Sequence, residues 1–149
     1  MLTKPQLIPI AGLLATIAAA GYMVTRTHAQ NAVQPVDLRT AMSAELLDSQ
    51  GRAVLRGSFD DDDDTEDIER KATLTASDSG VTASGVAEVE FARQAPVDQE
   101  VEFSGERLQP NASYRLIIDG REVLTGVAER DGDLELERKI PIPGGAGGR

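Results

Sequence analysis

The chain has 149 residues, of which 40% are hydrophobic, 27% charged and only 3% aromatic, and its formal net charge is −10 at pH 7. This length leaves room for one domain of ordinary size, whose core must be built from Val, Leu, Ile and Ala. The negative charge disfavours binding to nucleic acid and docking on anionic lipid, whereas it suits divalent cations or a basic partner.

Two residue types that carry much of protein chemistry are scarce. Cysteine is absent, which excludes disulfides, thiolate nucleophiles and zinc sites of the cysteine type. The single histidine is His28, so a mature chain that starts after Ala29 has none. That excludes Ser-His-Asp catalysis and histidine-ligated metals. The sequence predicts a non-enzymatic protein with no catalytic residues and no cofactor-binding residues.

Residues 1–29 are predicted to be a membrane-directed leader. Residues 7–24 carry no charge and lie between Lys4 and Arg26. As a helix this segment would be roughly 27 Å long, which is close to the minimum for a membrane span and also close to a long signal-peptide core. If the leader is not cleaved, membrane contact is expected only through residues 7–24.

Two alternatives for the leader stay open, a cleaved signal peptide and an uncleaved membrane anchor. Thr27 and Ala29 place small residues at the −3 and −1 positions of a cut before Gln30, as signal peptidase requires. In both cases the positive end stays inside, so the rest of the chain is expected outside the cytoplasm. The predicted location is periplasmic or extracellular, or anchored to the membrane by the leader.

The remainder divides into three predicted segments. Residues 30–43 are expected to be a linker or a frayed start, residues 44–140 a β-domain, and residues 141–149 a flexible tail rich in Gly and Pro. Residues 39–47 fit a short helix or a first strand equally well.

Hydrophobic and polar residues alternate over most of residues 44–140, which is typical of half-buried β-strands. The clearest hydrophobic series are Ala72, Leu74 and Ala76; Ala87, Val89 and Phe91; Val101 and Phe103; Tyr114, Leu116 and Ile118; Val123, Thr125 and Val127; and Leu134 and Leu136. Asp119-Gly120 suits a two-residue hairpin, and Asp131-Gly132 repeats it before the last strand. The sequence predicts an all-β fold, a small antiparallel β-sandwich or partly open barrel of about seven strands, preceded by a hydrophobic leader helix.

A set of short motifs carries a resemblance over about half of the chain. They are residues 85–91, Leu108-Gln109-Pro110, Tyr114-Arg115-Leu116, Asp119-Gly120 and residues 131–134. With this series of strands, Leu-x-Pro loop and Asp-Gly hairpin, the chain resembles uncharacterised bacterial exported β-sandwich (Ig-like) envelope proteins. The resemblance implies an envelope-associated, non-enzymatic module, and it assigns no functional residues.

The most unusual feature is an acidic run with seven carboxylates within eight positions: Asp60, Asp61, Asp62, Asp63, Asp64, Glu66 and Asp67. Because Ca²⁺ takes roughly six to eight oxygen ligands, a loop over residues 60–67 is a candidate calcium site. The run lacks the Asp-x-Asp-x-Asp-Gly spacing and has no glycine to turn the chain around an ion. The run also suits a solvated loop that bulk cations screen, or a docking site for a basic partner.

A second acidic feature depends on a predicted hairpin with its loop centred near Ala95 and Pro96. That centre places Glu90 opposite Glu102 on the outer face, where opposed like charges cost on the order of 0.2 to 1 kcal/mol. Four more glutamates are expected on the same face: Glu88, Glu100, Glu135 and Glu137. The alternative is a solvated face with arginine neighbours from another strand.

Three functional hypotheses follow. The first is an exported, envelope-associated β-domain that acts as a binding or structural accessory module for an unknown protein partner in the cell envelope. The second is a calcium-dependent envelope module that uses the acidic loop 60–67. The third is a hydrolase with a pair of carboxylic acids, which is disfavoured because the chain has no Trp and few rings to hold a sugar.

Overall fold

The computed structural model describes residues 35–62, 67–94 and 96–144. They belong to the second of two compact units of the chain, which spans Asn31–Arg149. The predicted leader and the end of the predicted tail lie outside the described residues. Among the residues that are described, no helix is long and apolar enough to cross a membrane.

The regular structure of the described residues consists of eight β-strands. They are β1 Ser43–Asp48, β2 Ala53–Asp62, β3 Asp67–Ala76, β4 Ser84–Ala92, β5 Asp98–Glu106, β6 Ser113–Ile118, β7 Arg121–Val127 and β8 Leu134–Pro141. The predicted all-β class is confirmed, with one strand more than expected. Of the two alternatives for residues 39–47, the structure shows the strand, because Ala44 and Leu46 alternate inward with a period of two.

The strands form one antiparallel sheet in the order β7-β6-β1-β2-β3-β4-β5-β8. The sheet curls until β7 and β8 approach each other, which gives a nearly closed barrel. In the described part of the chain no hydrogen-bonded ladder joins these two strands. Instead, Leu136 of β8 packs on Gly126 of β7, where an added Cβ would lie 2.3 Å from Leu136 Cδ2. β8 therefore has one ladder neighbour, β5.

The barrel interior is a packed core of apolar side chains. The largest fully buried hydrophobic residues are Leu38, Leu46, Leu55, Leu74, Val89, Val101, Leu116, Ile118, Leu134 and Ile140. Phe103 of β5 is only 2% exposed. Its ring lies against Gly85 and Gly105, where an added Cβ would come within 2.9 Å of it. Burial of such side chains, at about 1.5 to 3 kcal/mol each, is the main stabilising term.

Residues 35–41, which we call the strap, pack on the barrel where β5 begins. Val36 and Leu38 of the strap are buried. Gln99, which is also buried, accepts a hydrogen bond from Leu38 N at 3.0 Å and donates one from its Nε2 to Val36 O. Because a buried amide must be satisfied, Gln99 fixes the strap to the barrel.

The turn between β6 and β7 is the predicted Asp-Gly hairpin. Asp119 has φ 46° and Gly120 has φ 77°, the positive values that this turn requires. The Asp119 carboxylate also accepts hydrogen bonds from Met42 N at 3.1 Å and from Ser43 N at 2.9 Å. The turn therefore also holds the start of β1.

The second Asp-Gly pair does not form a hairpin, which corrects the prediction. Asp131 and Gly132 lie in the connection over residues 128–133, between two strands that share no ladder. Gly132 has φ 94°, and its carbonyl oxygen accepts a hydrogen bond from Leu108 N at 2.9 Å. The glycine is needed because a Cβ there would lie 2.6 Å from Leu108 O.

Candidate binding surface

The outer face of β3, β4, β5 and β8 carries a surplus of carboxylates. Each strand alternates, so every second residue in its middle points away from the core. We call this set of nine outward residues the carboxylate face: Glu69, Lys71, Glu88, Glu90, Glu100, Glu102, Glu135, Glu137 and Lys139. It contains seven glutamates against two lysines.

The register places eight of these residues in two rows across the four strands. The first row is Lys71, Glu88, Glu102 and Glu137, and the second is Glu69, Glu90, Glu100 and Lys139. Each row has its one lysine at an end, and the two lysines lie at opposite corners. In the first row, therefore, Glu102 has a glutamate directly opposite it on both sides.

The two lysines neutralise the corners of the face. Lys71 Nζ forms an ion pair with Glu88 and lies 3.9 Å from Glu69 Oε1. Lys139 Nζ lies 3.4 Å from Glu100 Oε2. These side chains are part-exposed, so each pair contributes little, typically about 0.2 to 1 kcal/mol.

The hairpin between β4 and β5 has a register that differs from the prediction. Glu90 lies opposite Glu100, and Glu88 lies opposite Glu102, so the expected pairing of Glu90 with Glu102 is wrong by two residues. Side chains on a strand alternate with a period of two, so a shift of two residues returns each of them to its original face. Such a change moves the partners but keeps each glutamate on the same side of the sheet. The expected joint outer face is therefore confirmed.

Three carboxylates of the face, those of Glu100, Glu102 and Glu137, form a cluster. One oxygen of each lies within 4.8 Å of the others. The pKa of Glu137 is raised above its usual range, first by a hydrogen bond to Glu100 and then by the negative charges of Glu100 and Glu102. Lys139 lowers this pKa in turn. Like charges at this separation make it easier for one of them to take up a proton.

These three carboxylates could attract a cation but do not enclose one. One oxygen from each residue supplies three ligands, whereas Ca²⁺ takes roughly six to eight. A depression of about 440 Å³ opens over the same strands, with Glu88, Glu102, Glu135 and Glu137 in its lining. Its walls are side chains of an open sheet face, which suits contact with a surface or an extended segment.

The acidic run predicted as a calcium loop begins inside a strand. Asp60, Asp61 and Asp62 are the last residues of β2, and Asp67 is the first residue of β3. Asp63, Asp64 and Glu66 lie outside the described residues. Asp60 is exposed and lies opposite Lys71, so it extends the first row of the carboxylate face by one strand. Calcium binding by the run stays a prediction.

Sequence reasoning missed Glu69, Lys71 and Lys139 as members of the face. The alternation of Ile68, Arg70 and Ala72 on β3 would have placed Glu69 and Lys71 outward. Lys139 could be placed only by the pairing of β8 with β5. That pairing joins strands that are not consecutive in the chain, and local patterns do not report it.

Comparisons of the chain with protein-family models, with curated proteins and with solved structures found no match. The function is therefore argued from the residues of this chain and their arrangement.

Proposed function

We propose that this chain is an exported, non-enzymatic module of the cell envelope that binds a basic protein partner through its carboxylate face. The observation that carries the proposal is the surplus of seven glutamates over two lysines on four adjacent strands. The interior beneath this face is filled mainly with apolar side chains, together with the buried Arg70 and Gln99, so the outer surface is what the domain presents to other molecules.

The arrangement of the charges supports a basic partner. Carboxylates that are concentrated on one face produce a local negative potential, which steers cationic surfaces toward it and orients them on arrival. The two lysines sit at opposite corners, and in the described part of the chain Glu102, Glu135 and Glu137 form no ion pair with a lysine or arginine. Lys and Arg side chains of a partner fit between these rows.

The opposed glutamates also cost stability, which supports a functional role. Glu102 faces Glu88 on one side and Glu137 on the other, and directly opposed like charges on a sheet are destabilising. A bound cationic segment removes this repulsion. Part of the binding free energy would therefore come from removal of the repulsion between glutamates in the free domain.

The test uses a synthetic peptide with alternating lysines and a matched peptide with glutamine in their place. Binding of each to the full-length chain, held in non-ionic detergent, is measured by fluorescence anisotropy at about 0.15 M salt, where exposed charges still act over about 8 Å. We expect the lysine peptide to bind and the glutamine peptide not to bind.

Two variants with the same change in net charge locate the contact. Glu88→Gln with Glu102→Gln removes two charges from the carboxylate face and should weaken lysine-peptide binding about fivefold to tenfold. Glu45→Gln with Glu122→Gln removes two charges from other strands and should leave binding near the parent value. Equal losses in both variants, or no binding to the parent, would contradict the proposal.

Calcium dependence is the second candidate function. The end of β2 and the start of β3 bring Asp62 opposite Glu69 in the register, so the acidic run and the carboxylate face meet along β3. A cation held between them would bridge the two. Measurement of melting temperature with and without calcium tests this candidate separately from peptide binding.

A further inference from the structure

Among the described residues, the edge strand β8 forms a backbone ladder with one neighbour, β5. Its ladder runs along β5 from Asp98 opposite Pro141 to Gly105 opposite Leu134. On its other side it meets β7 through Leu136 against Gly126, and no ladder joins the two strands in the described ranges. The attachment of β8 to β5 therefore decides how far the barrel stays closed.

Three carboxylates lie across this attachment. Glu102 of β5 is directly opposite Glu137 of β8, and Glu100 is two residues before Glu102 on the same side of β5. One oxygen from each lies within 4.8 Å of the others. Two carboxylates can form a hydrogen bond with each other only when one of them holds a proton, because an ionised carboxylate is solely an acceptor.

We propose that Glu100, Glu102 and Glu137 form a proton-sensitive clasp, which holds β8 to β5 more tightly when the surroundings become mildly acidic. At neutral pH the three groups repel one another across the two strands. When Glu137 holds a proton, the repulsion falls and Glu137 donates a hydrogen bond to Glu100.

The charged groups around the clasp leave it net negative. On β8, Glu137 lies between Glu135 and Lys139, and the lysine pairs with Glu100 at 3.4 Å. On β4, Glu88 and Glu90 lie opposite Glu102 and Glu100. The charged residues of β7, the other neighbour of β8, are Arg121 and Glu122, and Glu122 accepts a hydrogen bond from Arg115.

The direction of the pH effect follows from the pKa of Glu137, which its hydrogen bond to Glu100 raises in the folded protein. A carboxyl with a raised folded pKa contributes stability that is present below its unfolded pKa and is lost as pH rises through the folded pKa. Acidification from neutral pH should therefore first stabilise the fold. The pKa values of Asp37 and Asp48 are lowered, by hydrogen bonds from Arg39 and from Arg52 N respectively, so their contributions are lost at lower pH.

The test compares urea unfolding of the full-length chain in non-ionic detergent at pH 7.5 and at pH 5.5, together with NMR titration of the Glu137 carboxyl carbon. We expect a higher urea midpoint at pH 5.5 and a Glu137 pKa above the usual glutamate value. Glu137→Gln, a neutral side chain that can still donate a hydrogen bond, should raise the midpoint at pH 7.5 and reduce its dependence on pH.

The matched control is Glu106→Gln, which removes the same charge at the far end of β5, opposite Ser84. It should keep the pH dependence of the parent. The proposal is overturned if Glu137 titrates at or below the usual glutamate value, or if Glu137→Gln and Glu106→Gln show the same pH dependence. The NMR titration of Glu137 in the unmodified protein tests the proposal even if a variant folds poorly.

Discussion

The two halves of the barrel have similar apolar interiors but different arrangements of charge on their outer surfaces. On the half made by β1, β2, β6 and β7, acids lie beside arginines: Glu45 is 2.9 Å from Arg56 Nε, and Glu122 is 3.3 Å from Arg115 Nη1. On the half made by β3, β4, β5 and β8, glutamates lie opposite glutamates. Both halves place the same kind of apolar side chain inward.

This difference shows which surface charges the architecture requires and which it does not. On the first half, Glu45 and Glu122 each lie beside an arginine, so a sheet of this kind does not require glutamates opposite glutamates. The surplus on the second half costs stability through like-charge repulsion, and features that cost stability are concentrated at functional sites. The comparison is therefore the main structural argument for the carboxylate face as a binding surface.

The largest expected effect tests whether the two halves share one core. Phe103→Ala removes the buried ring that lies against Gly85 and Gly105, and such a change typically costs about 3 to 5 kcal/mol. We expect urea unfolding to show this loss in one transition that includes both halves. Val127→Ala, at a position that is 57% exposed, is the control and should change little. Loss of hydrogen-exchange protection confined to β3, β4, β5 and β8 would show separate halves instead.

A smaller effect tests the opposite charge environments directly. Glu102→Gln removes a charge that faces two glutamates, and Glu45→Gln removes a charge paired with Arg56. At neutral pH we expect the first to raise and the second to lower the free energy of unfolding, each by a few tenths of a kcal/mol. Urea titrations in the same buffer measure both. Changes of the same sign would remove the distinction between the halves.

The smallest effect is expected from calcium. If the face binds a basic protein, millimolar calcium should raise the melting temperature by less than about 2 °C, as magnesium should. A specific site in the acidic run predicts a rise on the order of 10 °C. That rise should disappear when Asp60, Asp61, Asp62, Asp63 and Asp64 are all changed to Asn. A large rise of this kind would make calcium binding the leading function.

Local patterns in the sequence were sufficient to predict most of the strands and one of the turns. The alternation of Ala87, Val89 and Phe91 predicted β4, and Asp119-Gly120 predicted the β6–β7 hairpin, because both depend on neighbours within a few residues. The β4–β5 register was missed, since the exact centre of a loop over residues 93–97 is not set by a turn dipeptide. Its glutamates were still placed on the correct face.

Long-range pairing lay beyond such patterns. The antiparallel ladder between β5 and β8 brings Glu102 to Glu137, and the hydrogen bond from Leu38 N to Gln99 joins residues 61 positions apart. Neither contact produces a periodic pattern of hydrophobic and polar residues in the sequence. The clasp and the strap could therefore be recognised only once the strand order was known.

The two hydrogen bonds made by the Gln99 side chain also determine how far the chain can be shortened from its N-terminal side. A fragment that begins at the first strand, Ser43, would lack Val36 and Leu38 and would leave the Gln99 amide without either partner. The fragment would lose both hydrogen bonds and the burial of Val36 and Leu38, and the apolar surface beneath the strap would be open to water. Any shortened version made for expression or crystallisation should therefore start no later than Pro35.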